Sequence, residues 1–199
     1  MVVGLPKSGT TTLHKAMTSA GLNSFHWANK TGVCGQLMYR GLIYKNDPLH
    51  YLRKFDEITQ ADVCLPHQSL NFWPQLDFSM LAKIRILYPD LVLILNKREP
   101  EKIYNSMTKW HNMHNRIRIS DVPGFPQGFG ATRDEFIRWI SNCYDAFEYF
   151  FSSDQRFVAG YIDDPDFKAE IEEVLGVNFA WWGVAGKSTS ADTSYPDSL

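Results

Sequence analysis

The chain predicts a three-layer α/β fold, a central parallel sheet flanked by helices, and three observations carry that expectation. Strand-like and helix-like segments alternate along most of its 199 residues. Residues 91–95, Leu-Val-Leu-Ile-Leu, are a nearly unbroken apolar run, as in a strand buried on both faces. The short apolar start Met1-Val2-Val3 passes through a Gly-containing turn directly into a helical pattern.

The elements follow in order. Residues 1–3 read as the first strand and 10–20 as the first helix, with Gly21 as its stop. A short strand is expected near 23–27. Residues 36–54 read as two helical pieces broken near Asn46-Asp47-Pro48, and 62–65 as a short strand. Leu81, Ile84 and Leu87 give 77–88 a helical period, ended by Pro89. After the apolar run, 101–113 reads as a helix. Residues 119–131 carry three glycines and two prolines, which deny regular structure, and read either as a loop over the site that can serve as a lid or, equally, as a plain surface connection. Residues 132–151 form an aromatic-rich helix, 157–162 a strand and 167–175 a last helix. One domain is expected over 1–186. Residues 187–199, rich in Ser, Thr, Asp and Pro, read as a loose, flexible tail.

Composition excludes several classes. A formal charge of −2 provides no broad basic field for nucleic acid. Cys34, Cys64 and Cys143 are widely spaced and odd in number, which makes neither a disulfide framework nor a paired-cysteine metal site. Reduced thiols and the lack of a secretory or membrane-spanning apolar stretch point to a cytoplasmic protein. Three residues before Gly4 are few for a central strand, so the native start lies either at Met1 or upstream of it. Oligomeric state has no signature in the sequence.

The chemistry is concentrated in residues 4–12, Gly-Leu-Pro-Lys-Ser-Gly-Thr-Thr-Thr. A strand that turns through glycines into a helix N-terminus presents converging N–H groups and the positive end of the helix dipole to an anion. Lys7 adds a full charge. A Walker A loop places its Lys directly after the second Gly, where this chain has Thr10. The strand that should supply a magnesium-binding carboxylate ends instead in Asn96-Lys97-Arg98, a basic end that suits an anion. Ser106 follows Arg98 by eight positions, about two turns into the next helix, so the two can grip one phosphate together.

Pro6-Lys7-Ser8-Gly9-Thr10-Thr11 resembles the 5′-phosphosulfate loop of sulfotransferases that use PAPS (3′-phosphoadenosine 5′-phosphosulfate), and Arg98 with Ser106 resembles their 3′-phosphate clamp. The likeness covers about the first half of the chain. It implies a P-loop NTPase-like fold and transfer of a sulfonate from PAPS to a hydroxyl or amine of a small-molecule or carbohydrate acceptor. The product would be adenosine 3′,5′-bisphosphate, and no metal would be needed. It assigns Pro6, Lys7, Ser8, Gly9, Thr10 and Thr11 to the 5′ end and Arg98 and Ser106 to the 3′-phosphate. Gly183 to Ser188 is similar to a C-terminal loop that closes on that phosphate, which makes Lys187 a candidate contact. Lys187 also reads as a solvated tail residue.

By analogy with in-line phosphoryl transfer, Lys7 and the loop amides would stabilise charge on the leaving oxygen, and a base would take the acceptor's proton. Three residues are candidates for that base. His26 follows the second strand, in the region where several carbohydrate sulfotransferases place a catalytic carboxylate. His67, in Leu65-Pro66-His67-Gln68, resembles the catalytic-His stretch of cytosolic sulfotransferases. Asp62 is the third. Phe72, Trp73, Trp110, Phe125 and Phe129 are candidates for lining the acceptor pocket and equally for the core. Two other readings stand beside this one: a small-molecule kinase with an altered phosphate loop, and a nucleotide-binding relative without catalysis.

Overall fold

The computed structural model describes residues 1–186. Lys187 and the expected tail lie outside the described residues. Seven α-helices and eight strands appear among them. The helices are α1 (Thr10–Ser19), α2 (Cys34–Lys45), α3 (Phe78–Leu87), α4 (Pro100–Lys109), α5 (Met113–Arg118), α6 (Arg133–Phe151) and α7 (Pro165–Leu175). The strands are β1 (Ser24–His26), β2 (Ala28–Asn29), β3 (Gly32–Val33), β4 (Glu57–Gln60), β5 (Val63–Leu65), β6 (Leu70–Phe72), β7 (Leu93–Lys97) and β8 (Phe157–Tyr161).

β1 pairs in parallel with β4, and β7 with β8. Residues 1–3 join these pairs. Val2 N–H donates to Ile58 O at 2.7 Å, Val3 N–H to Ile94 O at 2.9 Å, and Ile94 N–H to Met1 O at 3.0 Å. The order across the sheet is therefore β1, β4, residues 1–3, β7, β8. The expected first strand is thus central, although its only assigned pairing is the parallel Val2–Ile94 bridge. Side chains alternate across it, as the two-residue period of a strand requires. Val2 and Ile94 join the cluster built with Leu13, Met17, Phe167 and Ile171 of α1 and α7. Met1, Val3, Leu93 and Leu95 join the larger cluster, which gathers apolar residues of α2 to α6. Helices cover both faces, so the mixed α/β expectation with parallel strands is met.

β4 has no counterpart in the sequence reading. Glu-Ile-Thr-Gln lacks an apolar run, yet Glu57 and Thr59 are buried. Thr59 Oγ1 donates to Phe25 O at 3.2 Å, and the Glu57 carboxylate accepts from Ile58 N–H at 3.0 Å. Polar side chains enter a buried strand there because each has a hydrogen-bond partner. The second helical piece expected before residue 54 is a run of turns. Asp47 holds it by accepting from Leu49 N–H, the Arg53 guanidinium and the Tyr88 hydroxyl at 2.7–3.0 Å.

The single helix expected over 101–113 is two. α4 ends at Lys109, His111 (φ 46°) and Asn112 (φ 51°) adopt the left-handed region, and α5 restarts at Met113. This break turns α5 back toward β5, where Arg116 Nη1 donates to Cys64 O at 2.7 Å. α6 opens on a reciprocal capping box between Thr132 and Glu135. No helix among the described residues is long and apolar enough to cross a membrane.

Candidate functional site

The turn from residues 1–3 into α1 is held by close packing. Gly4 lies against Asn96 at the end of β7, and a Cβ there would collide with the Asn96 side chain and stand 2.8 Å from its backbone oxygen. Asn96 Nδ2 in turn donates to Ser8 Oγ at 2.7 Å. Asn96, in the position that a metal-binding acid would take, thus shapes the loop from within. Gly4→Ala is expected to destabilise the protein by about 1–3 kcal/mol, because the backbone oxygen cannot move aside. Chemical denaturation checks this, and unchanged stability would show that the contact relaxes freely. Gly9 has φ 108°, a conformation that only Gly takes readily, and it caps α1 with no side-chain hydrogen bond. The first-turn amides of α1 therefore keep their donors for another partner.

Lys7 is also left-handed (φ 69°), at a cost of about 1–2 kcal/mol for a residue with a side chain. Its carbonyl accepts from Arg98 Nη1 at 3.0 Å. Its ammonium lies 4.5 Å from the centre of the Trp110 ring. Burial, and then the charge of Arg98, lower its pKa to about 8. Arg98 is fixed from behind: its N–H donates to Tyr144 Oη at 3.1 Å, and that hydroxyl donates to Arg98 O at 3.0 Å. Lys97 points elsewhere and pairs with Glu148 at 2.5 Å. Of Lys97, which ends β7, and Arg98, which follows it, Arg98 is therefore the one that reaches the site.

Two spaces meet at this loop. A cavity of about 350 Å³ is walled by Lys7, Thr10, Thr11, Arg98 and Ser106 on one side. Trp27, Asp62, Leu65, Trp110 and Arg116 contribute its other walls. A neighbouring groove of about 740 Å³ runs past Arg98 and Ser106 to Lys102, Lys109 and Trp182. Gly9, Arg98, Ser106, Ala185 and Gly186 line both. The chain from 181 reaches the site by lying on α1: Trp181 N–H donates to Ser19 Oγ at 3.0 Å and Ala185 N–H to Thr12 Oγ1 at 3.3 Å.

His26 lines the cavity. Thr59 gives its hydroxyl proton to Phe25 O, so toward His26 Nδ1, 3.2 Å away, it accepts. His26 then carries its proton on Nδ1 and turns a bare Nε2 toward the Thr11 hydroxyl at 3.5 Å. Burial, and then His14 stacked at 4.9 Å, push its pKa down to about 4. Asp62 also lines the cavity and is 1% exposed. Burial pushes its pKa up to about 7, against hydrogen bonds from Gln60 and Gln75 and the charge of Arg116. His67 sits in the exposed turn Pro66–Gln68 and is not among the residues lining the cavity.

Of the five aromatic residues singled out in the sequence, Trp110 alone lines the cavity. Trp73 and Phe125 are core, and Phe129 is 63% exposed. Residues 119–131 contribute nothing to the cavity wall; Phe125 stacks on Trp139 and pins that segment to α6. Sequence reasoning missed Trp27, Gln60 and Arg116. One signal was available for Gln60: the carboxyl ends of parallel strands are where α/β proteins place ligands. It went unused because β4 was not expected.

A family model described as a sulfotransferase domain matches residues 1–165. No curated protein and no solved structure matches the chain.

Proposed function

The chain belongs to the sulfotransferase family, and on that footing we propose that it moves a sulfonate from PAPS to the hydroxyl of a small acceptor. One observation carries this reading: Arg98 and Ser106 line both the cavity and the groove, so one bound molecule can touch both spaces. The Gly9–Thr11 end of the loop would take the 5′-phosphosulfate. Arg98 and Ser106, with Lys102 and Lys109 beside them, would take the 3′-phosphate. The fit is chemical as well as spatial, since the loop presents helix N-terminal donors and two cations to one space. The sheet order and the loop between residues 1–3 and α1 support a P-loop NTPase-like core, and we read 1–186 as one domain.

In this scheme Lys7 and the first-turn amides stabilise the charge that grows on the leaving phosphate oxygen. His26, neutral at physiological pH, holds the Thr11 hydroxyl in place. Asp62 takes the acceptor's proton. It is favoured over His26 because a base works best when its pKa lies near the operating pH, and about 7 meets that condition where about 4 does not. His67 is set aside because it lies outside the cavity wall. The cavity stands at the low end of the roughly 300–1,000 Å³ that hold drug-sized ligands, and the sulfonate takes part of it. The acceptor is therefore a compact molecule, with Trp27, Leu65 and Trp110 as apolar walls.

The test is ligand binding without a divalent ion. Adenosine 3′,5′-bisphosphate at about 100 times its Kd should stabilise the protein by about 2.7 kcal/mol, raising Tm by about 5–10 °C in the presence of a chelator. Equal protection by ATP with Mg²⁺ would favour a kinase. No protection by either would end the reading.

A further inference from the structure

Asp62 is held by two glutamines from separate parts of the chain. Gln60 Nε2 donates to Asp62 Oδ2 at 3.2 Å, and Gln75 Nε2 donates to Asp62 Oδ1 at 3.1 Å. Gln60 stands at the end of β4, and Gln75, itself 1% exposed, in the short turn Pro74–Leu76. The two amides differ in their anchorage. Gln60 is tied at both ends, because its Oε1 accepts from Thr10 Oγ1 at 3.2 Å. Gln75 is tied at one end, and its buried Oε1 has no hydrogen-bond partner among the described residues. An orphaned buried oxygen in a native protein calls for an explanation.

We infer that Gln60 and Gln75 are positioning residues, a two-amide clamp that keeps Asp62 an ionised proton acceptor and links it through Gln60 to Thr10 of the anion loop. This inference rests on the role given to Asp62 above. Gln60 cannot rotate without giving up Thr10. Gln75 can turn its amide over and offer Oε1 to an Asp62 O–H. The proton balance is then complete. The acceptor's proton passes to Asp62 as the acceptor oxygen bonds to sulfur and the bond from sulfur to the phosphate oxygen breaks. The new carboxylic acid donates to Gln75. The other groups that face Asp62 are the Arg116 guanidinium and the Cys34 and Cys64 thiols, both thiols being pushed up in part by its charge.

The experiment is a ¹³C NMR titration of the Asp62 carboxyl in the whole protein and in Gln75→Met, which keeps the shape and removes the amide. Losing one donor to the charged form should raise the midpoint from about 7 to about 8 or above. Gln60→Met should raise it as well, and Gln75→Asn should restore part of the difference. An unchanged midpoint in both methionine variants would overturn the clamp. Thermal protection by adenosine 3′,5′-bisphosphate, measured on the same samples, should survive Gln75→Met. Its absence from the unaltered protein would strike the PAPS reading alone, since the midpoints decide the clamp without any cofactor.

Discussion

Asp62→Asn is expected to lower turnover by about 10²–10⁴-fold, the usual contribution of a positioned general base, and at the same time to make the protein more stable above pH 7. The second effect follows from burial. The carboxyl has its ordinary pKa of 3.8 when unfolded and about 7 when folded. An acid whose folded pKa is raised destabilises the fold when charged. That cost is absent below about pH 4, grows as pH rises toward 7 and is complete above it. The gap of about three pH units corresponds to about 4 kcal/mol as an upper figure. Asn does not titrate, and the Gln75 amide can turn to meet it. The Tm of the variant relative to the unaltered protein should therefore be higher at pH 8 than at pH 5. Melting curves at the two pH values and initial rates with PAPS check both halves. Full activity in the variant would remove Asp62 from the chemistry. A stability difference that is flat with pH would mean that burial does not raise the carboxyl's pKa above its unfolded value.

Lys7→Ala is expected to reduce kcat by about 10²–10³-fold, the range seen when one donor to a developing oxyanion is lost. It also bears on the pH profile. In the proposed scheme the free enzyme needs Asp62 ionised and Lys7 protonated, and their pKa values of about 7 and about 8 leave a narrow window. The profile of kcat/KM for PAPS should be a bell with its maximum between them, while kcat should lose its alkaline fall, because a bound anion holds the Lys7 proton. Lys7→Arg keeps its charge at every accessible pH. It should retain part of the rate and show no alkaline fall even in kcat/KM. An alkaline limb that persists in Lys7→Arg would assign that limb to another group.

The turn between residues 1–3 and α1 was legible because its parts are close in sequence. Gly4, Lys7, Gly9 and Thr10 lie within seven residues, and the strand, turn and helix that shape them are local. Arg98 and Ser106 were legible for the same reason, since eight positions along one helix start fix their separation. Boundaries were less so: the break at His111 and Asn112 depends on how α5 packs on β5, and no helix-breaking residue marks it in the sequence. β4 was missed because it lacks an apolar run and its buried Thr59 is satisfied by Phe25, 34 positions earlier.

The sequence by itself determined a glycine-bearing turn from a strand into a helix start and an apolar strand ending in Asn96-Lys97-Arg98, because glycine placement, helix starts and apolar runs act over short range. Tertiary structure alone decided which titratable groups face the cavity and with what strength. It brought Gln60, Gln75 and Arg116 around Asp62, gave His26 its tautomer through Thr59 and left His67 in an exposed turn. A pKa reflects desolvation and neighbours, and those exist only after segments tens of residues apart have packed together.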